Sequence, residues 1–355
     1  MVGIGCALSA SVFLAACNST SSSQQSATPA ISVSSVSRLL AHQSQLNNQL
    51  TRWTPPLAKQ LYTGTALTNE DLNGTFAIKL GLNHAPKGYK DLYSHLITQS
   101  APATGSQFPQ MMVVEDAVNT TKQSAKVAHP TANEHAQILL EERTSTHSPW
   151  RISANPTTFV SLLPRLDSVL STQVNPNSLV MTPSEAVSAT TQTFSSWIGN
   201  LNINYHQSPK YFPQALDYKT SPLNSYNFAS LQDYIAPTVL YTNTTTASYF
   251  TWTASQTALG APITVRVPGG ALVFYNAVLT AKLTANNPGS GYYDNYTTNT
   301  PAKVVTTKTG IQYAVFDPTK LHHSGAKQPL IKVVGISGVE TQYDGISTSG
   351  KVLSS

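Results

Sequence analysis

The apolar positions of the chain change their spacing several times, and each change marks an element. Val36, Leu39, Leu40, Leu46 and Leu50 recur at three- and four-residue intervals, which places them on one face of a helix. Leu57 and Leu61 continue as a short apolar turn that stops near Gly64, the residue type that ends helices most readily. Thr68-Asn69-Glu70-Asp71 resembles a capping sequence and predicts another brief helix. From there the period falls to two. Phe76, Ile78, Leu80 and Leu82 alternate as a half-buried strand does, and the runs 111–114 and 138–142 are strand-like. His147-Ser148-Pro149 then turns the chain into Trp150-Arg151-Ile152.

A second cycle begins at Thr182-Pro183-Ser184-Glu185. A hydroxyl at the cap, proline at the first helical position and glutamate at the third are the parts of a capping box. Val187, Phe194, Trp197, Ile198 and Leu201 supply the apolar face behind it. Strands are predicted at 237–242, 248–253, 262–267, 271–284, 303–308, 311–316 and 329–335, with hairpin turns at Gly269-Gly270 and Thr309-Gly310. Helices followed by antiparallel strands, twice over, predict an α+β fold of two modules, each a helix packed on a curved antiparallel sheet. The expected domains are residues 36–170 and 180–345, with a flexible tail at 346–355. A chain of 355 residues accommodates two domains of ordinary size.

The first residues carry a different message. Residues 4–16 are apolar or small, and Leu14-Ala15-Ala16-Cys17 closes the run. Such a run is too short to cross a bilayer core of about 30 Å. It matches the core of a secretory signal with small residues before the cut. The ending is similar to a lipobox, which implies that the Cys17 thiol is acylated and that residues 1–17 are a lipoprotein signal. The competing reading is a buried hydrophobic N-terminal helix. Met1-Val2-Gly3 lacks the basic residue that opens a signal peptide, so the natural start is expected upstream. Residues 18–35 are dominated at first by Ser, Thr, Gln and Asn, and read as a flexible tether reaching roughly 20 Å.

Composition narrows the chemistry. Cys6 and Cys17 are the two cysteines of the chain, and processing would remove the first. Thiol catalysis and cysteine metal sites are therefore not expected. The net charge of +5 is spread along the chain rather than gathered in a stripe, so no nucleic-acid partner is expected. There is no G-x-S-x-G elbow, Walker loop, H-E-x-x-H or dinucleotide fingerprint, and nothing marks a nucleophile. His322-His323 follows Asp317, and His129 lies near Glu134-His135, but adjacent residues on a strand diverge and the spacing is not that of a zinc site. No metal and no cofactor is expected. Glu115-Asp116 and Glu141-Glu142 could supply one inward acid each, although a solvated strand face accounts for them more simply.

Tyrosine is unevenly placed: all but Tyr62, Tyr89 and Tyr93 lie beyond residue 200. Most suit the half-wet surface of a sheet. Tyr292, Tyr293 and Tyr296 sit among Pro288, Gly289 and Gly291, where exposed rings could stack on a sugar or a partner side chain, and form the candidate ligand-binding residues.

The segments 108–114, 138–143 and 148–152, and later Gly269-Gly270-Ala271-Leu272-Val273-Phe274-Tyr275, resemble recurrent blocks of actinobacterial lipoproteins of unknown function. The resemblance covers scattered motifs between residues 36 and 290. It implies halves similar to the nuclear-transport-factor-2 and cystatin shapes, and no catalytic residues. Together these readings predict a lipid-anchored protein of the extracytoplasmic membrane face. It would be a non-catalytic binding or scaffolding module whose partner is an envelope protein, glycan or lipid. The alternative is a carrier of, or enzyme on, a small apolar ligand in an internal cavity.

Overall fold

In a computed structural model, residues 33–50, 54–79, 90–100, 108–119, 135–159, 170–171, 176–199, 250–267, 269–285, 292–293, 301–320, 331–347 and 349–354 are described. The signal segment, Cys17, most of the tether, Tyr296, His129, Glu134 and His322-His323 lie outside these residues, as does the strand predicted at 237–242. Three helices open the fold: α1 (Val33–Gln49), α2 (Pro55–Leu61) and α3 (Gly64–Lys79). Six strands follow: β1 (Lys90–Ser100), β2 (Gln110–Asn119), β3 (His135–Arg143), β4 (Arg151–Ala154), β5 (Thr157–Phe159) and β6 (Leu170–Ser171). Helix α4 (Pro183–Gly199) leads to β7 (Phe250–Val267), β8 (Gly270–Ala285), β9 (Tyr292–Tyr293), β10 (Pro301–Pro318), β11 (Lys332–Ser347) and β12 (Val352–Ser354).

The strands form one sheet in the order β6-β1-β2-β3-β5-β11-β10-β8-β7, with β4, β9 and β12 attached to β3, β10 and β11. Every pairing is antiparallel except β1 with β6. Three-residue β5 makes the junction: Thr158 pairs with Ala136 of β3 on one side and with Gly335 of β11 on the other. The far edge strand β7 comes back against β1 and β2, so the sheet curls. The fold is α+β, with helices laid on a curled sheet.

The pleat explains why so many strands read as unbroken apolar runs. Met112, Val114 and Leu139 point to α1–α3 and join Val36, Leu40, Leu61 and Trp150 in one core. Val273, Tyr275, Ile311, Tyr313 and Val333 point to α4 and form a second with Ala186 and Val187. The alternate residues Val113, Ile138, Leu140, Leu272, Phe274, Ala314 and Val334 meet inside the curl as a third. A strand covered on both faces has no polar side to show, so the period-2 signal gives way to continuous hydrophobicity. Each such side chain contributes about 1.5–3 kcal/mol of burial free energy. The junction needs a close approach at Gly335, where a Cβ would stand 2.9 Å from Ile138 Cδ1 and 3.3 Å from both Ala314 Cβ and Pro156 Cβ.

Four local expectations are corrected. Residues 76–79 belong to α3 rather than to a strand, because two alternating apolar residues satisfy a helix as well as a sheet edge. Thr68 does not cap a helix. It lies inside α3, and its hydroxyl donates back to the Gly64 carbonyl at 3.2 Å. Thr309-Gly310 is not a hairpin: β10 runs straight through it, pairing with Leu279-Val278 of β8 on one side and Glu340-Val339 of β11 on the other. The strands predicted at 248–253 and 262–267 are one strand, β7, with a register shift between Leu259 and Ile263 where Gly260 has φ +66°. The hairpin at Gly269-Gly270 is present between β7 and β8, with Gly269 at φ +76°.

Candidate functional site

The candidate site lies beneath α1. The helix presents Val36, Leu40 and Gln43 to the sheet, and all three are buried. Gln43 follows Leu40 by three residues and so occupies the apolar stripe itself. Opposite it, β3 offers Glu141, which is wholly inaccessible. Glu141 pairs across the sheet with Met112 on β2 and Ile152 on β4, both members of the apolar core under the helices. Gln43 Nε2 donates to Glu141 Oε2 at 3.1 Å. The remaining polar atom of each group, Gln43 Oε1 and Glu141 Oε1, is buried without a hydrogen-bond partner. Burial in this apolar setting raises the Glu141 carboxyl to about 8, against a smaller lowering by the Gln43 amide. At neutral pH the group is therefore mostly a neutral acid.

Two residues along β3, Arg143 lies at the rim of this pocket of side chains. Its guanidinium stands 5.0 Å from the Trp150 ring centroid and 5.8 Å from that of Phe108. It donates to Gln110 Oε1 through Nε at 3.1 Å and also through Nη2. The positive charge is thus engaged by two rings and an amide on the edge of the site, while the acid sits deeper.

The reading of both carboxylate pairs as solvated is overturned for three of the four acids. Glu115, Asp116 and Glu141 are all buried, because both faces of β2 and β3 are covered. Glu142 is the partly exposed one. Asp317, noted in the sequence only for its distance from His322-His323, is also buried. Met181 N–H donates to its Oδ1 at 3.3 Å and Oδ2 has no partner. Burial raises it to about 6, opposed by the backbone N–H groups of Met181 and Val180 and by Lys320. Asp317 thereby ties the end of β10 to the segment that starts α4.

That segment carries the capping box. Glu185 N–H donates to Thr182 Oγ1 at 3.3 Å, while Thr182 N–H and Oγ1 donate to Glu185 Oε2 at 2.7 and 2.9 Å. These bonds hold the Glu185 carboxyl below its ordinary value. Under α4, Tyr275 and Tyr313 stack with centroids 4.7 Å apart and planes 15° apart, and Gln256 Nε2 donates to Tyr313 Oη at 2.7 Å. Burial pushes both phenols well up.

Of the tyrosines singled out in the sequence, Tyr292 and Tyr293 form β9, paired with Ala302 and Pro301 of β10. They are placed by backbone pairing rather than by a free loop. Among the described residues no three His, Cys, Asp or Glu are grouped to hold a metal ion, and no helix is long and apolar enough to cross a membrane. Gln43 was missed in the sequence, yet its signal was there: a polar residue in phase with Val36, Leu40 and Leu50 is the mark of a buried partner. The chain matches no family model, no curated protein and no solved structure.

Proposed function

We propose that the chain is a lipoprotein held to the extracytoplasmic face of a membrane through Cys17, and that it works as a non-catalytic binding or scaffolding module of the cell envelope. The observation that carries this reading is Leu14-Ala15-Ala16-Cys17 at the end of a short apolar run, followed by a polar stretch. The curl of the sheet is filled by Val113, Ile138, Leu140, Leu272, Phe274 and Val334, which favours recognition on an outer surface over a ligand carried inside. Each half of the sheet has its own helical cover, and we read the halves as two modules joined edge to edge. Tyr292 and Tyr293 on β9, with Tyr296 beyond it, are the proposed contact with an envelope protein, glycan or lipid. The test is metabolic labelling of the full chain with an alkyne fatty acid in a bacterial host. Label and membrane fractionation are expected for the wild type and their loss for Cys17→Ser; an unlabelled wild-type chain overturns the anchor.

One observation favours the second reading, a carrier of or enzyme on a small ligand: a fully buried acid with a raised pKa is a common feature of binding and catalytic sites. Native mass spectrometry of the full chain from its own envelope separates the two. An adduct of defined mass supports the carrier, and a clean mass supports the scaffold.

A further inference from the structure

The two unpartnered atoms under α1 are complementary, and one proton satisfies both. Gln43 Oε1 and Glu141 Oε1 are acceptors without donors, in a place where an unmet polar atom is costly. We propose that Gln43 and Glu141 form a proton-gated latch between α1 and β3. In its acid form, Glu141 donates from one oxygen to Gln43 Oε1 and accepts from Gln43 Nε2 at the other, closing an acid–amide ring. When the acid ionises, its proton passes to solvent water and the ring opens. The carboxylate then faces Gln43 Oε1 across a lone pair, and α1 lifts to let water reach the charge.

Among the described side chains, no free positive charge faces Glu141 to hold it ionised in place. From β2 the facing residue is Met112 and from β4 it is Ile152, both apolar. On β3 itself the charged group on the same pleat is Arg143, which is engaged by Gln110, Phe108 and Trp150. Asp116 lies four residues from Met112 along β2, pairs with Gln137, and would repel rather than stabilise a carboxylate. On α1, Arg38 and His42 are exposed, as is Lys59 on α2, while Glu70 and Asp71 of α3 add only negative charge. Burial and the Gln43 amide are the two influences that act on the Glu141 carboxyl. The latch also has a place in the molecule: it spans 98 residues of chain and fastens the first described helix to the sheet. It does not depend on the anchor reading.

The test is hydrogen–deuterium exchange of the α1 amides in the full-length chain from pH 5 to 9, corrected for the intrinsic exchange rate. If opening releases the proton, the opening constant of α1 rises about tenfold per pH unit until the folded acid itself titrates. Glu141→Gln keeps a donor and an acceptor facing Gln43 but has no proton to lose, so its profile is expected to be flat. A flat wild-type profile, or an equal slope in Glu141→Gln, overturns the latch. Should that variant fail to fold, the infrared spectrum of the wild type decides. A protonated-carboxyl stretch at pH 7 that disappears on alkaline titration together with α1 protection supports the latch, and its absence at pH 7 overturns it.

Discussion

The two helix-covered faces of the sheet solve the same packing problem with different polar groups. Beneath α1 the buried polar pair is a carboxyl and an amide, Glu141 and Gln43. Beneath α4 it is a stacked pair of phenols, Tyr275 and Tyr313, with the Gln256 amide donating to one of them. A phenol is already neutral near pH 7, and burial pushes its ionisation further away, so the α4 core has nothing to lose across the neutral range. A carboxyl is ordinarily ionised there, and burial must hold its proton on. The comparison shows that burial alone does not make a face pH-sensitive. What matters is whether the ordinary pKa and the shifted one straddle the working pH.

The sign follows from proton counting. Between the ordinary value of 4.5 and about 8, native Glu141 keeps a proton that the unfolded chain releases. Stability from this group is fully present below 4.5 and is lost as pH rises through about 8. The loss is on the order of a few kcal/mol. Asp317, at the end of β10 and bonded to the segment that starts α4, has the same sign over a narrower window that ends near 6. Glu185 beside it has the opposite sign, its contribution being lost as the solution is acidified.

The comparison can be broken most strongly from the α4 side. Tyr313 is wholly buried, stacked and hydrogen-bonded, and Tyr313→Ala is expected to cost about 3–5 kcal/mol in urea unfolding. The loss should be the same at pH 6 and pH 8, because no group that titrates there is involved. On the α1 side, Gln43→Leu is expected to cost about 1–3 kcal/mol by leaving the acid without its donor. Urea unfolding at pH 6, where the acid keeps its proton, reads this cost, and an unchanged midpoint contradicts it. The smallest effect belongs to the cap. Thr182→Ala removes the hydroxyl that accepts from Glu185 N–H and is expected to cost about 1 kcal/mol, with exchange rising in the first turn of α4 and not in α1.

Much of the fold was legible where the signal is local. The stripe from Val36 to Leu50 is α1, the capping box at Thr182 starts α4, and Gly269-Gly270 turns β7 into β8. Reading failed where two periods fit equally well, as at Phe76 and Ile78, or where a glycine that looks like a turn is clamped between two long partner strands, as at Gly310. The site was half legible. Adjacent acids on a strand must diverge, and Glu141 and Glu142 do. Which of the two is buried, and that both Glu115 and Asp116 are, depended on how many layers cover each strand.

By itself, then, the sequence determined the apolar helical stripe from Val36 to Leu50, the α4 cap and the buried strand runs. Tertiary structure decided that one curled sheet joins the two sets of strands, through a three-residue strand too short to carry a pattern of its own. It also decided that Glu141 meets Gln43. Side-chain alternation says that neighbours face opposite ways, but only the layer packed on top, contributed by a helix 98 residues away, determines which way is dry.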